Sequence, residues 1–149
     1  MCLVVLATSA LTLGAGPPGG DVPASAWDDR MIGAAACRTC HEKEYQDWLG
    51  SAHARAWEML EPADRADPKC LGCHTTANRD GYRGVQCESC HGGARDWWPD
   101  FVMRDPHLAR ALGMRRGADV GTCTRCHTPE TPSIEPFDLK RALPMVDHG

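Results

Sequence analysis

Residues 87–91 read Cys87-Glu88-Ser89-Cys90-His91. Their frame, two cysteines three positions apart with histidine at once behind, occurs four times in 149 residues. The other three are Cys37-Arg38-Thr39-Cys40-His41, Cys70-Leu71-Gly72-Cys73-His74 and Cys123-Thr124-Arg125-Cys126-His127. Two thiols one turn apart reach the two vinyl groups on one edge of a porphyrin and bond to them as thioethers. The adjacent imidazole is then held under the ring, where its nitrogen takes the iron as proximal ligand. Paired CxxC motifs also make zinc sites, but zinc has no need of a histidine after every second cysteine. A thioredoxin-like redox pair calls for a βαβ setting, which the pattern lacks. The spacing therefore predicts four covalently bound haem c groups. Cys37, Cys40, Cys70, Cys73, Cys87, Cys90, Cys123 and Cys126 would form the thioethers, and His41, His74, His91 and His127 would be the proximal ligands.

The rest of the composition suits such a centre. Hydrophobic residues make up 42% of the chain, but aromatics only 6%, and eleven prolines and fifteen glycines interrupt it. Few windows support a long strand or a continuous apolar helix, so the porphyrins themselves are expected to be the core. The fold class that follows is mainly α with long irregular loops, a small multihaem cytochrome c fold organised around four haems. Formal charge is -4, and the basic residues are dispersed among the acids. There is thus no basic field for nucleic acid, and none is expected as a partner.

Cys2 stands apart from the eight motif cysteines, in an apolar leader. Residues 3–13 (LVVLATSALTL) have the length of a signal-peptide core and are too short to span a bilayer. A Gly/Pro-rich break over 14–23 and the A-x-A sequence Ala24-Ser25-Ala26 follow. This divides the chain into an export signal and linker, 1–26, and a tetrahaem domain, 27–149, placed in the periplasm or otherwise exported. A membrane would be met only through an N-terminal anchor.

Between the motifs lie loops 42–69, 75–86 and 92–122, with no further similarity among them. In the first, Tyr45, Trp48, Leu49, Ala52, Ala56, Met59 and Leu60 recur at three- and four-residue steps, which predicts a helix with one apolar face. Gly50-Ser51 is expected to break it, with Ser51 capping a second turn. Pro62 and Pro68 then bracket a charged loop. The segment TTANRDGYRGVQ is turn-rich and reads as irregular. Asp105-Pro106 is a helix start, Asp as N-cap and Pro at the first position, leading into a short helix that ends near Gly113 or Gly117. Prolines 129, 132, 136 and 144 make a tail that wraps more than it packs. No strand pattern stands out.

Three histidines remain: His53, His107 and His148. Four irons with proximal ligands and three spare imidazoles make all three candidate distal ligands. His53 falls near the apolar stripe of the first predicted helix. His107 opens the helix behind Pro106, and His148 is the penultimate residue. One iron is then left open or capped by a methionine, with Met59, Met103, Met114 and Met145 available.

These residues resemble the cytochrome c554 family of multihaem cytochromes. The four motifs with their uneven spacing, the stretch CHEKEYQDWLGSAHARA, GVQCESCHGGA and CTRCHTPETPSIEPFD carry the resemblance, which covers roughly 37–138. It implies a mostly helical protein with haems in stacked and angled pairs. It implies further that His107 is distal to the haem on His41, His53 to that on His127, and His148 to that on His91. The haem on His74 would be five-coordinate. The chain is short after the fourth motif, which sets it apart from the family pattern at His148. The leading expectation is an electron carrier between a redox-protein donor and acceptor, rather than an enzyme. The alternatives are reduction of nitric oxide or a related nitrogen species at an open iron, and a haem filament in which copies of the chain associate.

Overall fold

The structure, a computed structural model, describes residues 29–117, 120–131 and 136–148. The expected signal and linker over 1–26 lie outside the described residues.

The chain is a succession of short helices joined by turns. Helix α1 (Ala34–Arg38) runs through three alanines into the first motif. Helix α2 (Glu42–Leu49) follows, with Glu42 and Glu44 at its positive end. Ion pairs Arg38–Glu42 at 2.7 Å and Lys43–Asp47 at 2.9 Å run along its exposed side. The helix stops at Gly50. The sequence pattern predicted helix beyond Ser51 as far as Leu60, and the structure corrects this: 51–60 is a run of turns. Its bonds are mostly of the i to i+3 kind, among them Arg55 N to Ala52 O, Ala56 N to His53 O and Leu60 N to Trp57 O. Ala56 and Leu60 are nevertheless buried without a regular helix.

Helix α3 (Pro68–His74) begins with Asp67 accepting from Lys69 N and with Pro at its first turn. Helix α6 (Pro106–Ala111) begins in the same way, Asp105 accepting from His107 N and Leu108 N. Helix α8 (Leu139–Ala142) is capped by Asp138 through Lys140 N and runs into a 3₁₀ turn, Leu143–Met145. The cap predicted at Asp105-Pro106 is present. Asp67-Pro68 carries the same signal and starts a helix where the sequence pattern predicts a loop, and α8 stands in the tail where no helix is predicted. Between these lie α4 (Cys87–His91), α5 (Asp100–Met103) and α7 (Val120–Cys123), with a 3₁₀ turn at Asp64–Ala66. Among the described residues there is no strand, only isolated bridges from Thr75 to Arg83 and Gly84. None of the described helices is long and apolar enough to cross a membrane.

The apolar core is small. Ala94, Trp97, Val102 and Ala109 are buried together, with Ile32, Met103 and Met114 packed against them. Phe101 and Met145 remain 72% and 80% exposed, so the polypeptide alone does not cover its own large apolar side chains.

Among the described residues the largest fully buried side chain is a carboxylate, Glu88, 1% exposed. It sits between the cysteines of the third motif. It accepts from Ile32 N at 3.0 and 3.1 Å, Gly33 N at 2.8 Å and Ala94 N at 2.8 Å. Beside it Gln86 accepts from Ala34 N at 2.8 Å. Together these bonds fasten the entry to α1 against α4, some fifty residues away in sequence. Glu88→Ala strands three amides in a buried place. It is expected to cost about 3 kcal/mol or more in the chemical denaturation of the purified protein, and Glu88→Gln, which keeps one acceptor, less.

Candidate haem sites

Each motif is wound into one turn of helix. His41 N bonds to Cys37 O and His127 N to Cys123 O, both at 3.0 Å, and the second and third motifs lie within α3 and α4. The two thiols of each motif are thus a turn apart with the imidazole directly behind, and all eight cysteines are free.

The motifs meet in an order that differs from their order in the chain. Helix α1 packs on α4, and α4 on α7. Cys37 and Cys87, from the first and third motifs, lie beside each other, and their mutual influence lowers the Cys87 thiol to about 7 and, with burial, pushes Cys37 up. The third and fourth motifs are tied by Arg125 Nη2 donating to Ser89 O. Cys126 of the fourth meets Cys73 of the second, and burial, then that contact, raise its thiol to about 12. The spatial sequence is first, third, fourth, second.

Imidazoles also meet in pairs. The rings of His53 and His127 have centres 6.1 Å apart, inclined at 55°. Those of His91 and His148 are 5.9 Å apart and nearly perpendicular, at 76°. An iron held by two imidazole nitrogens needs ring centres about 6 Å apart, from a bond of about 2 Å on each side and about 1 Å from nitrogen to ring centre. Both pairs fit that requirement. Among the described residues, no three Cys, His, Asp or Glu side chains converge to hold a metal ion by themselves. A planar group carrying its own iron suits pairs of imidazoles, where a bare ion does not.

Three histidines have Nδ1 against a carbonyl. His91 Nδ1 lies 3.1 Å from Arg115 O and His148 Nδ1 2.8 Å from Val146 O. With the proton on Nδ1 donated to a carbonyl, Nε2 is left with its lone pair for a metal. His74 Nδ1 is held in the same way by Ala56 O at 2.5 Å. His127 Nδ1 is buried without a hydrogen-bond partner, its ring stacked on Phe137 at 4.8 Å. Burial lowers the pKa of His53, aided by His127, and burial also lowers that of His91, so both favour the neutral, ligating form.

Two glycines set these rings in place. Gly117 has φ +80°, and a Cβ there would stand 3.0 Å from His91 Cε1. Gly84, at φ +77°, would put a Cβ 2.5 Å from Ala54 O, so the 84–85 segment lies directly on the turn carrying His53. Val85 N then donates to His53 O at 2.9 Å, and Trp48 Nε1 to Val85 O at 2.8 Å.

Of the seven sequence-predicted histidines the structure brings together His53 with His127 and His148 with His91. His41 is exposed, 4.0 Å from Glu44. His107 is exposed on α6, and neither it, His41 nor His74 has a ring partner among the described residues. Glu88, Gly117 and Phe137 were missed by sequence reasoning. Only the CHGGA run beside Glu88 hinted that the chain is crowded there.

The family described as "Cytochrome c554 and c-prime" matches residues 36–92, which hold the first three motifs. The protein named "Cytochrome c-554" from Nitrosomonas europaea is 29% identical over 160 residues, covering 72% of this chain and 68% of that protein. Over 36–92 the chain is similar to the cytochrome c554 family. No solved structure matches the chain.

With a haem on His127, His53→Ala is expected to convert its low-spin ferric signal to high spin; with one on His91, His148→Ala is expected to do the same there. Electron paramagnetic resonance of the oxidised proteins checks both. Gly117→Ala should disturb the same signal as His148→Ala and leave the other untouched.

Proposed function

We propose that the chain carries four haem c groups, one on each CxxCH motif, and relays electrons along them outside the cytoplasmic membrane. The observation that carries this reading is the contact of imidazoles in pairs, each joining a motif histidine to one of the spare three. Haem supplies one-electron chemistry at iron and, repeated at short range, a path for charge. The residues of this chain supply the rest. Cys37 beside Cys87, Arg125 on Ser89 and Cys73 beside Cys126 keep neighbouring attachment points close. Arg115, Val146 and Ala56 orient imidazoles through their carbonyls. The carboxylate of Glu88, held out of water between the first and third motifs, favours a positive charge nearby and so the oxidised state of that end.

In this reading His53 would be the sixth ligand of the haem on His127 and His148 of that on His91. Resemblance to the family would give His107 to the haem on His41 and leave the iron on His74 an open position. That supports a second activity, the binding and reduction of a small nitrogen species at that iron. The partners of the relay are a redox-protein donor and acceptor.

Intact mass and the pyridine haemochrome absorbance of the purified protein should show four haems per chain, against none in a variant with all eight motif cysteines replaced. Resonance spectra of the oxidised protein, with and without nitric oxide, divide the two activities. A high-spin signal abolished by the gas supports the open site at His74. Low-spin signals alone, unchanged by the gas, leave the relay and exclude the reductase.

A further inference from the structure

Behind the second motif lies a cleft of about 460 Å³ that the haem reading does not use. Its floor is Trp57. The guanidinium carbons of Arg65 and Arg83 stand 4.3 and 3.9 Å from the centre of that indole. Arg79, Asn78 and Asp80 line the same cleft. Arg79 is anchored by donating to Met31 O at 3.0 Å and Tyr82 Oη at 2.9 Å, with its guanidinium over the Tyr82 ring. Arg65 donates to Leu60 O and Glu58 O.

The charge here is not neutralised from within. Among the described residues Arg30, Arg38 and Arg104 have carboxylate partners, whereas no carboxylate, Asp80 included, comes within ion-pair distance of Arg65, Arg79 or Arg83. In a chain of formal charge -4, like charges have been gathered around one aromatic ring. The indole face offsets part of their repulsion, and an anion would offset the remainder. Guanidinium forks match the planar edge of an oxyanion, and stacking on Trp57 limits their freedom before any ligand arrives.

The cleft adjoins the second motif: Leu71 stands inside that motif and Thr75 directly behind His74, and both line it. The loop bearing Arg83 is tied by Gly84 N to the carbonyl of His74 at 3.1 Å.

We propose that this cleft binds a small inorganic oxyanion of the sulfate or phosphate class, held by Arg65 and Arg83 beside Trp57 and opposed by Asp80. A propionate carboxylate of a bound haem has the same chemistry, and the experiment separates the two. The binding stands on these side chains alone; only its redox readout rests on the haem reading.

The test is calorimetric titration of the haem-loaded protein with sodium sulfate, against sodium chloride at matched ionic strength. One saturable sulfate site is expected, weakened at least about tenfold in Arg83→Gln, tightened in Asp80→Asn and unchanged in Arg38→Gln. Saturation with sulfate should lower the midpoint potential of one haem in the native protein and not in Arg83→Gln, since a bound anion favours the oxidised iron. Opposite effects of Arg83→Gln and Asp80→Asn would not arise from a general loss of folding. The absence of a saturable site in the native protein, as when propionates already hold the guanidiniums, would overturn the proposal. So would equal sulfate affinity in native protein and Arg83→Gln.

Discussion

The rest of the molecule is arranged around one buried carboxylate. Glu88 lies between the cysteines of the third motif and takes amide hydrogens from Ile32, Gly33 and Ala94. The entry to the first motif and the exit from the third are thereby fixed to one point. Hydrogen bonds to a charged group contribute about 1.5–3 kcal/mol each. Burying Val102, the best-covered branched side chain, contributes about the same as one of them. In so thin an apolar core the polar bonds decide the arrangement. Their removal would leave amides that water cannot reach, which is why the side chain is specified so tightly.

What this arrangement achieves is proximity. With α1 on α4 and α4 on α7, thiols from separate motifs touch, and His91 and His127 each receive a second imidazole. Carbonyls at Arg115, Val146 and Ala56 select the tautomer that leaves Nε2 free. Gly117 lets backbone approach where a side chain would press on the His91 ring, and Gly84 where one would meet the carbonyls of His53 and Ala54. Each element is short, because its task is to deliver one or two side chains to a site, not to bury a long apolar face.

Much of this was legible along the chain. The Asp-Pro caps follow from local chemistry: the carboxylate satisfies amides that helix geometry leaves unpaired, and proline has no amide to lose. That rule holds at Asp67 as well as at Asp105, and reading it at both would have found α3. The run 51–60 shows where local signals mislead. A three-residue step of apolar side chains is shared by helix and by successive turns, and the choice between them was made by Val85 pairing with His53. No residue near His53 announces that partner.

The sequence by itself determined the chemistry of attachment. Two thiols and an imidazole within five residues need only one helical turn to be correctly placed, and every motif supplies that turn on its own. Only the tertiary structure decided which motif lies beside which, in the order first, third, fourth, second, and which spare histidine meets which motif. Those neighbours are far apart along the chain: Glu88 and Ile32 are 56 residues apart. Such pairings depend on how buried amides and small apolar surfaces are satisfied all at once, a condition that no local stretch of sequence contains.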